Sequence, residues 1–207
     1  MFSQTPNREL ILFWQSEVFP FINSLSSLSF NGRKLHEIIR RYNELTSAIQ
    51  SRYKQGIFVN AVEKNPLASG RHFVFGCTVE RGRPEIFILV PELQKLFLKI
   101  KGSFPREYKQ YFIISLVIAY IHELDHLASG NVGNATNIAE QIEGEIIVWA
   151  DTCEKTISLF AEVYGIAIYP GDLLMYSRWI DSGRNVNSEQ WRFHIATMYG
   201  FPNKPVF

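Results

Sequence analysis

Apolar residues recur at Leu35, Ile38, Ile39, Tyr42, Leu45 and Ile49 within the stretch from Asn31 to Tyr53. Steps of three and four put them on one face of a helix whose other face is charged. Gly56 lies where that helix should end. An earlier helix is expected from Thr5-Pro6, a cap followed by a first-turn proline, to Phe19, where Pro20 interrupts the pattern. The pattern then changes. Ile57 to Glu63 and Arg71 to Glu80 are strand-like and rich in Phe and Val. Arg81-Gly82-Arg83-Pro84 is a turn signal, and Glu85 to Val90 is expected to return as the second arm of a hairpin.

Helical periods resume at Pro91, in a short helix to about Lys101. From Arg106 to Ser129 the chain is again helical and in its middle apolar on all sides, the signature of a central buried helix, with Gly130 as its C-cap. The greasy core of that segment, Tyr111 to Ile121, is about half the length needed to span a bilayer. After a polar loop from Asn131 to Asn137, a long helix is expected from Ile138 to Tyr164, then two shorter ones at Pro170 to Ile180 and Ser188 to Tyr199. There is no repeat and no linker. The expectation is one α+β domain over residues 1–207, helices around a small, mainly antiparallel sheet.

Composition narrows the function classes. With 21 Lys and Arg against 20 Asp and Glu, the net charge is +1, and the basic residues are scattered rather than gathered into a stripe. Nucleic acid is therefore not an expected partner. Cys77 and Cys153 are too few for a disulfide framework, and the N-terminus has no basic region leading into an apolar run. These features point to a cytoplasmic protein without a membrane anchor.

The central helix runs into His122-Glu123-Leu124-Asp125-His126. Two histidines four apart share a helix face and can present two imidazoles to one ion. Zinc suits nitrogen ligands, and a catalytic zinc site keeps one position open. Glu123 stands beside the first histidine, placed to accept a proton from water and pass it to a leaving amine. A third ligand must come from elsewhere, and the next helix offers Glu140, Glu143 and Glu145.

A His122-Glu123-x-x-His126 helix followed by a glutamate on the next helix resembles the gluzincin branch of zinc metallopeptidases. Eighteen residues separate His126 from Glu145, a gap similar to that of the zinc aminopeptidases of that branch. The segment Glu145-Ile146-Ile147-Val148-Trp149-Ala150 resembles the compact phage- and bacterial-regulator peptidases, in which the liganding glutamate precedes an aromatic-Ala pair by one turn. The resemblance implies a zincin-like domain binding Zn2+ through His122, His126 and Glu145, with Glu123 as general base and acid. It also implies a protein or peptide substrate lying as an added strand along a sheet edge, which the Arg71 to Val90 hairpin can supply. The larger gluzincins carry an Asp four residues after the ligand glutamate, where this chain has Trp149, and the aminopeptidase signatures are absent.

Two other readings stand beside this one. His122-Glu123-Leu124-Asp125-His126-Leu127 also resembles the metal helix of peptide deformylase, which takes its third ligand from a Gly-Cys pair upstream; Gly76-Cys77 lies forty-five residues before His122. The sequence around that pair departs from the deformylase pattern, and some eighty residues follow the metal helix. The last reading is a binding or regulatory protein that keeps the scaffold without turnover. For oxyanion stabilisation His194 is the first nominee, with Tyr199, Arg178 and Arg192 behind it. His36 and His72 are expected to be structural.

Overall fold

Asn31-Gly32 decides where the first described helix begins. Both residues have positive φ (51° and 75°), the geometry of a two-residue hairpin turn, for which Asn-Gly is the preferred pair. The turn joins β1 (Ser29–Phe30) to β2 (Arg33–Lys34) in antiparallel register. Helix α1 therefore runs His36–Tyr53, not from Asn31 as periodicity alone predicts. It buries Ile38, Leu45 and Ile49. The structure is a computed structural model describing residues 23–64, 74–132 and 138–200, with positions 12, 15, 16 and 20 besides. The helix expected from Thr5 to Phe19 lies outside the described residues but for three positions, and His72 lies outside them too.

The main sheet has three strands, β3 (Phe58–Val62), β4 (Phe75–Glu80) and β5 (Arg83–Leu89), with β5 in the middle. β4 is antiparallel to β5 and β3 parallel to it. Arg81 and Gly82, at φ 50° and 79°, form another two-residue turn, so Arg83 and Pro84 belong to the returning strand. Glu80 and Arg83 flank that turn as a hydrogen-bonded pair, and pairs alternate from there. Val79 opposite Pro84 is then a non-hydrogen-bonded pair, the place where a proline without N–H fits. By the same alternation Phe75, Cys77 and Val79 turn their backbone N–H and C=O groups toward the outer edge of β4. No strand pairs with that edge among the described residues. Gly76 lies opposite Phe87, and a Cβ there would come within 2.2 Å of the Phe87 ring. Only glycine admits the ring at that height.

Helix α2 (Val90–Ser103), with proline in its first turn, leads into α3 (Tyr108–Ser129). By length and composition α3 is apolar enough to cross a membrane, but 72% of its apolar window is buried inside the fold. It packs against α1, α2, β4 and α4 (Ile138–Thr152), which makes it the axis of the core. Edge-to-face rings lock it in place, Phe97 on Phe112 with centroids 5.3 Å apart and Phe75 on Tyr120 at 6.0 Å. Beyond Thr152 the α4 helix widens into π-helical turns, Cys153–Ile157 and Leu159–Val163, before Gly165 turns the chain at φ 61°. Helices α5 (Pro170–Asp181) and α6 (Glu189–Met198) complete the described chain. The architecture is α+β, mostly helical, with small and mainly antiparallel sheets.

One contact between these helices carries a pH dependence. Ser115 of α3 donates a hydrogen bond to Asp172 in the first turn of α5. Burial pushes the Asp172 carboxyl up to about 6, against the pull of the Ser115 hydroxyl. In the unfolded chain the same carboxyl ionises near its ordinary value of 3.8. The native state therefore holds a proton that the unfolded state has lost, and this contribution to stability falls as pH rises from about 4 to about 6. Asp172→Asn is expected to remove up to about 2 kcal/mol of that slope. Urea titrations of both proteins at pH 4.5 and 7.5 check it; equal pH slopes would contradict the assignment.

Candidate metal centre

The motif occupies the last two turns of α3, where the helix needs capping. Gly130, at φ 80°, donates its N–H to His126 O and Leu127 O. The end of α1 adds donors to the last carbonyls: Tyr53 donates to Leu127 O at 3.2 Å, and Arg52 to Ala128 O at 3.2 Å and Ser129 O at 3.3 Å. A basic side chain at a helix C-terminus also complements the helix dipole. The turns carrying His122 and His126 are thus held by backbone, hydroxyl and guanidinium donors together.

His122 and His126 are both buried, at 4% and 5% exposure, and α4 brings Glu145 against them. The two Nε2 atoms are 3.1 Å apart, and Glu145 Oε2 lies 3.2 Å from that of His122 and 3.3 Å from that of His126. Ligand atoms bound tetrahedrally at about 2.0–2.1 Å would be about 3.3–3.4 Å apart, so these three atoms approximate one face of a zinc site. Among the described residues, this is the group of histidine, cysteine and carboxylate side chains close enough to share an ion.

The hydrogen bonds on the far side of each ring decide where the protons are. Thr152 donates its hydroxyl proton to Val148 O at 2.9 Å, so toward His122 Nδ1, at 3.1 Å, it offers only a lone pair. His122 must be the donor there. His126 Nδ1 faces Asn131 O at 2.8 Å, and a carbonyl only accepts. In their neutral forms both rings therefore carry N–H at Nδ1 and a bare lone pair at Nε2. Two imidazole lone pairs and a carboxylate oxygen converge with no proton between them. Such a cluster repels itself unless a cation enters it, a metal ion or an added proton. The electrostatics agree: burial lowers the His126 pKa, but the Glu145 and Glu123 carboxylates outweigh it and raise it to about 9. Burial pushes Glu145 up, and the two histidines overcome this and hold it well below the usual carboxylate range.

Glu123 is half-buried on the same turn of α3. Its neighbour is Cys77 of β4; burial pushes that thiol well up, and the Glu123 and Glu145 carboxylates push it further. Cys77 is therefore a protonated thiol and stands outside the candidate ligand cluster. Glu143 is paired with Arg192 of α6, and Glu140 lies on an exposed part of α4. Of the three glutamates the second helix offered, the structure brings Glu145 to the histidines.

Asp125 faces away from the ligand atoms, toward Arg41 of α1, while Asp151 pairs with Lys155 at 2.7 Å and lies 3.8 Å from Arg41. His194 packs beside Trp191 at 6.2 Å, its pKa lowered by burial and by Arg178. Tyr199 is the C-terminal aromatic that reaches the centre, donating its hydroxyl to Glu145 Oε2. Sequence reasoning missed Thr152 altogether and did not give Trp149 its place, stacked on the His122 ring with centroids 4.2 Å apart. A signal was present: Glu145, Trp149 and Thr152 follow one another at four and three residues, the spacing of one helix face. Tyr199 had no comparable local signal. No family model matches the chain, and neither a curated protein nor a solved structure does.

Proposed function

We propose that this chain is a zinc metallopeptidase, acting on a protein or peptide, with His122, His126 and Glu145 as ligands and Glu123 as general base and then general acid. The observation that carries the reading is the convergence of two Nε2 lone pairs and one carboxylate oxygen at 3.1–3.3 Å. A zinc ion bound there would supply Lewis-acid polarisation of the scissile carbonyl and acidify water. Glu123 takes a proton from the attacking water on its carboxylate and returns it to the nitrogen of the leaving amine. The Cys77 thiol, pushed up by burial and by the Glu123 carboxylate, stays protonated beside it. The outer edge of β4 offers the backbone groups of Phe75, Cys77 and Val79 to an extended peptide, which supports a peptide over a smaller amide as substrate. The two free, buried thiols, Cys77 and Cys153, fit a cytoplasmic setting.

The test is metal content after dialysis against buffered zinc. Wild type and Cys77→Ser should each hold one zinc per chain, an expectation from the three-residue ligand set, while Glu145→Ala should hold it substoichiometrically. If Cys77→Ser loses the metal and Glu145→Ala keeps it, the deformylase-like ligand set is correct instead. A wild type that binds zinc but cleaves no peptide would favour a regulatory protein on the same scaffold.

A further inference from the structure

His122 and Glu145 are each held from behind by a side chain that carries no charge. Thr152 is fully buried, and its single hydroxyl proton is committed to Val148 O, which leaves an acceptor facing His122 Nδ1 at 3.1 Å. On the other branch, Trp149 donates its indole N–H to the Tyr199 hydroxyl at 3.2 Å, and Tyr199 donates onward to Glu145 Oε2. That oxygen is the one facing both histidines. The acids nearby are engaged elsewhere, Asp125 by Arg41 and Asp151 by Lys155. Neither places a carboxylate behind the rings.

Resting on the zinc reading above, we propose that Thr152 and Tyr199 are positioning residues of the metal site. Thr152 fixes His122 in the tautomer whose Nε2 lone pair is free, and Tyr199, itself held by Trp149, fixes the liganding oxygen of Glu145. The direction of each hydrogen bond is what matters. A residue at 152 without an acceptor leaves a buried Nδ1–H unpaired, and the ring relieves that by moving its proton to Nε2, where it blocks a ligand position. A residue at 199 without the hydroxyl lets the Glu145 carboxylate turn its other oxygen inward. Because both partners are neutral, Glu145 alone offsets the charge of a divalent ion among the ligands, and the ion keeps more of its Lewis acidity than with a carboxylate behind histidine.

Zinc affinity of the full chain, measured by competition with a chromophoric chelator, tests this. Thr152→Val is nearly isosteric and should weaken binding about 10–100-fold, with Thr152→Ser, which restores the acceptor, within about threefold of wild type. Tyr199→Phe should weaken it about tenfold. Cobalt substitution adds a spectroscopic signature: the visible bands should shift in Thr152→Val and return in Thr152→Ser. Circular dichroism and metal-free thermal midpoints separate a loss of site from a loss of fold. Wild-type affinity in Thr152→Val, or equal weakness in Thr152→Ser and Thr152→Val when both fold, overturns the role of Thr152. If Thr152→Val does not fold, Tyr199→Phe, lacking one oxygen, decides by itself, and unchanged affinity there overturns the proposal. A wild type that binds no zinc is a separate result, because it removes the zinc reading as well.

Discussion

Glu123→Gln is expected to lower peptide hydrolysis by about 10²–10⁴-fold while leaving zinc content and thermal midpoint near wild type. The change replaces one carboxylate oxygen by an NH2 group and alters neither volume nor shape. Its remaining carbonyl oxygen is still an acceptor beside the protonated Cys77 thiol. The three proposed ligand atoms belong to His122, His126 and Glu145, and none is touched. What disappears is the ability to take a proton from water and hand it to the amine nitrogen. The loss should therefore appear in kcat, with KM little changed. The measurement is turnover of an unbiased peptide mixture beside metal analysis of the same preparation. Full zinc with unimpaired turnover would remove Glu123 from the mechanism. Full zinc with turnover lost is the pattern that a damaged fold cannot imitate.

The fold was legible in the sequence wherever the pattern was local and periodic. Helices α2, α3, α5 and α6 lie within a few residues of their expected limits, because core-facing apolar residues recur at helical spacing and Gly130 ends α3. The helix expected from Ile138 to Tyr164 is α-helical only to Thr152 and π-helical in its later turns. The start of α1 was misplaced because Asn31-Gly32 was absorbed into the helical period, although that pair is itself a strong hairpin signal. The π-helical widening after Thr152 was hidden, since an extra residue per turn scarcely disturbs a pattern that is apolar on several faces. The meeting of His122, His126 and Glu145 was legible for a different reason: metal chemistry demands particular residue types at fixed spacing, and that spacing brings these three side chains together. The partners behind the ligands were not. Thr152 and Tyr199 act through one hydroxyl each, and hydroxyl residues are too common for their position alone to mark them. Asp125 drew attention as part of a deformylase-like pattern, yet its carboxylate serves the packing of α3 on α1.

Arg41→Met is expected to destabilise the protein by about 3–5 kcal/mol at pH 8, because it strands a buried carboxylate. The Asp125 side chain is 7% exposed and that of Arg41 14%, and the two are in direct ion-pair contact between α3 and α1. Burial pushes the Asp125 carboxyl up to about 6, Arg41 pulls it down, and Asp151 opposes that pull. Among the described residues Asp125 Oδ2 and Arg41 Nε have no hydrogen-bond partner, so there the pair is only partly satisfied and depends on its Coulombic attraction. With Arg41 gone, the folded pKa of Asp125 rises further above the unfolded value of 3.8. The native state then retains a proton over a wider range, and the penalty grows as pH rises through that range. Arg41→Met should accordingly cost less at pH 5 than at pH 8. Adding Asp125→Asn removes the stranded charge and should recover about half of the loss or more, since a buried ion pair is worth far less than breaking it costs. Urea unfolding of the two single variants and the double variant, in chelator so that metal binding does not contribute, closes the cycle. A loss under about 1 kcal/mol at pH 8 would mean that water reaches Asp125 and that the α1 contact does not hold the motif helix.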